Sequence, residues 1–121
     1  MLLDKHGELI KNLDFRGTKI ELLNTITAPD LFRLLAAAQQ LVNRQTSFKA
    51  RDLIPSANST SKTATCIYRQ IFTTTQNKND ADRLFGVVIK QALIMTPLLF
   101  RQIGADNDFE GSTYVRESLD F

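Results

Sequence analysis

In 121 residues the chain has one cysteine, one histidine, no tryptophan, three prolines and five glycines. A lone cysteine, Cys66, excludes an intramolecular disulfide framework and a multi-cysteine zinc site, which makes a reducing, cytoplasmic setting the default expectation. His6 and Cys66 lie far apart, so a cysteine–histidine nucleophile pair has little basis, and Cys66 reads as a small buried apolar residue. There is no phosphate-cradling glycine loop and no G-x-S-x-G elbow, so the chain reads as a non-enzyme without cofactor or metal. The first residues lack a basic region followed by an apolar run, so no signal peptide is expected. The most apolar segment, 84–103, is interrupted by Lys90, Gln91 and Arg101. A bilayer would charge heavily for those groups, which predicts a buried helix and no membrane partner.

What is present is an ordinary globular composition, 43% hydrophobic and 23% charged, at a length suited to one domain. The net charge of +2 hides an uneven distribution. Residues 1–43 balance to zero. Over 44–78, six basic side chains (Arg44, Lys49, Arg51, Lys62, Arg69, Lys78) face only Asp52, a net of +5. The last stretch, 104–121, carries five acids against Arg116, a net of −4. A local basic excess suits a polyanion, although a solvated face has the same composition.

Residues 1–26 fit two descriptions. The turn signal Asp4-Lys5-His6-Gly7 separates two short apolar runs as a strand pair would have it, while Leu9, Ile10 and Leu13 share a face of an opening helix; helix is preferred. Thr27-Ala28-Pro29-Asp30 is a helix start, with a hydroxyl cap, an early proline and an acid near the positive end of the dipole. Leu31, Leu34, Leu35, Ala38, Leu41 and Val42 then form one apolar stripe to about Arg44. A short helix is expected over 48–54, stopped by Pro55, and a second over 61–75. Asn79 or Asp80 caps a last helix over 81–103, kinked near Leu93 by Pro97 and ended by Gly104. That helix is apolar on nearly every side, which predicts a homodimer through 81–103.

Within 47–72, Phe48-x-Ala50-x-x-Leu53 and Thr63-Ala64-x-x-Ile67 frame a turn rich in small polar residues. In the second helix Ala64, Ile67, Tyr68 and Ile71 share one face, and Ser61, Lys62, Thr65 and Arg69 the other. This stretch resembles the helix-turn-helix superfamily, and more closely its winged-helix and related three-helix branches. The resemblance implies a DNA-reading second helix, with double-stranded DNA as partner and Lys49, Arg51, Asn58, Ser61, Lys62, Thr65 and Arg69 as contacts. Ala50, Leu53, Ala64 and Ile67 would hold the two helices together. The family's tight, often glycine-bearing turn is replaced here by a longer linker with Pro55, and 73–79 is too short for the strand hairpin of a winged member.

Residues 106–117 resemble an EF-hand calcium loop, with acids at Asp106, Asp108, Glu110 and Glu117 and Gly111 at the sixth position. Glu110 and Thr113 depart from that pattern, and only 118–121 remain for an exit helix. A disordered or partner-binding acidic tail is the preferred reading.

The sequence therefore predicts a mainly α, four- to five-helix domain over 1–104, with a helix-turn-helix at 47–72, a long apolar helix at 81–103, and an acidic tail at 105–121. The function implied is that of a small DNA-binding protein, a transcriptional regulator or a replication or mobile-element accessory factor. The alternative is a helical protein–protein interaction or dimerisation module without a nucleic-acid role.

Overall fold

The computed structural model describes residues 1–12, 24, 26–54, 62–104 and 113–117. Among these, three α-helices and five strands form an α+β domain. The mainly α, four- to five-helix expectation is therefore incorrect.

Helix α1 spans Ala28–Asn43 and begins as its sequence dictates: Thr27 is extended and its hydroxyl accepts from the Asp30 amide at 3.4 Å. Its stripe Leu34, Ala38, Leu41 and Val42 is buried. Strand β3, Ser47–Lys49, and a 3-10 turn, Ala50–Leu53, occupy the place of the expected helix over 48–54. Phe48 is inside and Ser47 outside, the alternation of a strand and not the periodicity of a helix. Asp52 accepts from the Lys49 amide at 3.3 Å, which occupies one donor of this short strand.

Helix α2, Lys62–Thr75, buries Ala64, Ile67 and Ile71. Cys66 lies off that stripe and is exposed, against its expected burial. Helix α3 follows after two residues. It is capped by Asn77, whose side chain accepts from the Asp80 amide at 3.2 Å, and runs Lys78–Met95. It stops eight residues before the expected end at 103. Pro97 does not kink it. Thr96 is extended (φ −63°, ψ 144°), because the proline ring crowds a helical conformation at the residue before it. The chain then turns into strand β4, Phe100–Ile103, where Phe100 and Gln102 point in and Arg101 and Ile103 out. Gly104, at φ 110°, serves a turn after this strand and not a helix end.

Strands β1 (Leu2–Leu3) and β2 (Leu9–Ile10) make the N-terminal pair that competed with the preferred helix. Their turn is closed by Asp4, whose carboxylate accepts from the amides of His6 (2.8 Å) and Glu8 (2.9 Å). Strand β5, Thr113–Arg116, completes a mixed sheet in the order β2-β1-β4-β5-β3, in which only β1 and β4 are parallel. Tyr114 pairs with both Gln102 and Phe48, so β5 lies inside the sheet.

One face of the sheet packs on the helices through Leu2, Phe48, Phe100 and Tyr114, with Phe48 edge-on to Phe100 at 6.4 Å and tilted on Tyr114 at 5.5 Å. Against these lies α3, buried without a break from Leu84 to Ile89. It packs on both α1 and α2. That burial removes the reason for expecting a homodimer through 81–103: the apolar surplus is covered within the chain by the sheet and two helices. A buried hydroxyl, Thr96, donates to Asn43 Oδ1 at 2.5 Å and ties the ends of α1 and α3 together. On the other sheet face Arg101 pairs with Glu117 and reaches toward the β1–β2 turn, where a Cβ at Gly7 would lie 3.7 Å from its guanidinium. No helix among the described residues is long and apolar enough to cross a membrane.

Candidate nucleic-acid interface

Two helices joined by a short turn do occur, but they are α2 and α3. The connection is Gln76-Asn77. Gln76 has φ 53°, the left-handed conformation that usually follows a helix, and among described residues it is the one non-glycine with positive φ. Its amide donates to the Phe72 carbonyl at 2.7 Å and closes α2. Asn77 then caps α3, so its side chain is already committed.

The corner presents a polar surface. On α2, Arg69, Gln70, Thr73 and Thr74 are exposed; on α3, Lys78, Asn79 and Arg83 are. The two threonine hydroxyls donate to the carbonyls of Arg69 (2.9 Å) and Gln70 (3.4 Å), which holds them against the helix while leaving oxygen lone pairs outward. Two acids lie close by. Asp82 is held by the Tyr68 hydroxyl (2.6 Å) and by Lys78 (2.9 Å), and Asp80 is half-buried in the first turn of α3. The bond to Asp82 adds to desolvation in pushing the Tyr68 phenol up to about 12. Arg69 and Arg83 have no ion-pair partner among the described residues. Each is a cation that can meet a phosphate without first breaking an internal pair.

The sequence-derived contacts are spread over several elements. Lys49 ends β3 and is half-buried, and Arg51 is exposed on the 3-10 turn. Thr65 is half-buried on α2 and engaged with a neighbour, while Arg69 is exposed. Lys62 opens α2. Asn58 and Ser61 lie outside the described residues. Of the five that are described, only Arg69 stands on the α2–α3 corner. Gln76, Asn79 and Arg83, which also lie at this corner, were not among the expected contacts, because 76–80 fell between the expected helices over 61–75 and 81–103 and the second of these had no outward role. The usable signal was Asn77 followed by Asp80, a capping pattern that starts α3 early enough to bring Asn79 and Arg83 to its first turns.

No three metal-ligating side chains come together among the described residues. Asp106, Asp108 and Glu110 of the calcium-loop resemblance lie outside them, and Glu117 is engaged by Arg101.

Compared with known protein families, curated proteins and solved structures, the chain matches none.

Proposed function

We propose that the chain is a small double-stranded-DNA-binding domain built on winged-helix lines. The observation that carries this reading is topological. A three-helix unit, α1, α2 and α3, is followed by the antiparallel β4–β5 hairpin, and β3, which enters between α1 and α2, pairs with the second strand of that hairpin. A hairpin laid beside three helices is what the winged branch of the helix-turn-helix superfamily adds to its DNA-reading pair. Here the hairpin follows α3, twenty residues beyond the stretch too short to hold it.

The pair that meets DNA in this reading is α2–α3. A helix buried all round cannot enter a groove, and α3 is enclosed from Leu84 to Ile89. Its N-terminal turns are open, with Lys78, Asn79 and Arg83 exposed, and that is the part from which a reading helix addresses base edges. The segment between β4 and β5 contains Asp106, Asp108 and Glu110, which repel phosphate, so the contact falls on the helical corner.

The test is titration of a random-sequence duplex with the full chain from low to moderate salt. Affinity falling steeply with salt supports phosphate contacts, with a slope of about −0.9 per contacted phosphate. No binding at low salt overturns the reading. One feature favours the protein-interaction alternative: Phe32 on α1 is 73% exposed, a large apolar side chain with no cover among the described residues.

A further inference from the structure

We propose that the free edge of β3 is a second phosphate-binding surface, which takes the backbone of a second duplex. One chain then bridges two duplexes; this inference rests on the duplex-binding reading above. β3 ends the strand order, so its outer edge pairs with no strand among the described residues. Around it stand Arg44, which closes α1, Lys49 at the end of the strand, Arg51 in the turn after it, and Arg116 at the end of β5. Arg44, Arg51 and Arg116 are exposed, and none of the four has an ion-pair partner among the described residues. Over 44–52 and 113–116 these four cations meet one acid, Asp52, a net of +3. The Arg116 amide donates to the Thr46 carbonyl at 2.8 Å, two residues from Arg44, which brings those two arginines to the same end of the strand pair.

The edge already holds one oxyanion. The Thr46–Arg116 bond sets the alternation of an antiparallel pair, in which Ser47 and Lys49 turn their amides away from β5. The Lys49 amide is taken by a carboxylate, that of Asp52, at 3.3 Å. The Ser47 amide, nearer to Arg44 and Arg116, has no partner among the described residues, and Ser47 is exposed. A backbone amide, a hydroxyl and arginines are the groups with which proteins hold phosphodiester oxygens. This surface stands apart from the helical corner. Thr96, the C-cap of α3, donates to Asn43 Oδ1 at 2.5 Å, so Arg44 lies at the far end of α3 from the Gln76-Asn77 connection. The 18 residues of α3 span about 27 Å at 1.5 Å each. Enclosed from Leu84 to Ile89, α3 meets a duplex with its first turns, and its other end, with Arg44, points away from that duplex.

The experiment compares the full chain with the double variant Arg44→Ala/Arg116→Ala. Duplex fixed to beads is saturated with protein at low salt, washed, and offered a fluorescent second duplex. Both proteins are also titrated with a single fluorescent duplex in solution and melted. The wild type is expected to capture the second duplex and to release it as salt rises. The variant should melt with the wild type, since both arginines are exposed, and should still bind duplex in solution, yet capture no more of the second duplex than beads without protein. Capture by the variant at the wild-type level overturns the inference, because bridging by self-association would survive the change. A wild type that binds one duplex and captures no second also overturns it and leaves duplex binding standing. A wild type that binds no duplex at low salt overturns both.

Discussion

Raising the pH should report on the sheet through its tyrosines. The chain contains two, Tyr68 and Tyr114, and no tryptophan, so phenolate absorbance counts them without interference. Tyr114 sits in β5, 3% exposed, and burial pushes its phenol from 10.0 up to about 12. Folding that opposes the charged form by two pH units is worth about 3 kcal/mol at ~1.4 kcal/mol per unit. Tyr68 is raised to about 12 as well, by desolvation first and then by its bond to Asp82, but it is only half-buried, and solvent screening makes its share smaller. The sign follows from linkage. The folded protein keeps protons that the unfolded chain releases near 10, so the stabilisation is complete below pH 10 and is lost as the pH rises towards 12. Spectrophotometric titration, with circular dichroism followed in parallel, should show neither tyrosine ionising near pH 10 while the fold persists. The denaturation midpoint should fall across pH 10–12. Both phenolates appearing near pH 10 with circular dichroism intact would refute the placement of β5 inside the sheet, and with it the hairpin on which the proposed function rests.

Three further expectations concern stability, each read from the urea midpoint. Asn77→Ala removes the α3 cap and should cost about 1 kcal/mol, with Asn77→Gly or Asn77→Ser retaining most of it. Phe85→Ala opens a cavity under a fully buried ring that also contacts Tyr68 at 5.9 Å; it should cost about 3–5 kcal/mol and bring the domain close to unfolding. Tyr68→Phe deletes the bond to Asp82 but leaves that carboxylate paired with Lys78, so a loss near 1 kcal/mol is expected.

The helical elements were legible because local rules settled them. Thr27-Ala28-Pro29-Asp30 carried the α1 start, and the apolar positions 64, 67 and 71 carried the inner face of α2. The failures share one cause. Leu98-Leu99-Phe100-Arg101-Gln102-Ile103 is apolar enough to continue a helix, and Ser47-Phe48-Lys49 short enough to begin one. Strands form over 100–103 and 47–49 because partners exist for them, and those partners are distant: Tyr114 stands opposite Gln102 and Phe48, and Leu2 opposite Phe100. Pro97 held a usable local signal, since the rule that ended the expected helix over 48–54 before Pro55 also ends α3 at Met95.

The candidate site divides along the same line. The basic excess over 44–78 and the outward Arg69 are properties of residue order, and no folding was needed to see them. That the corner joins α2 to α3, that Gln76 is outward with a left-handed backbone, and that α3 is enclosed from Leu84 to Ile89 were decided by packing. A helix learns which of its faces is free only when the sheet and its neighbouring helices have covered the others. Covering α3 from Leu84 to Ile89 turned a sequence that looked like a dimer interface into the centre of a single domain. Hydrophobic periodicity thus set which segments are helical and which residues turn inward, because those depend on neighbours three or four positions away. Strand pairing, the end of α3 and the identity of the exposed corner depend on contacts across the whole chain, and only the tertiary structure supplies them.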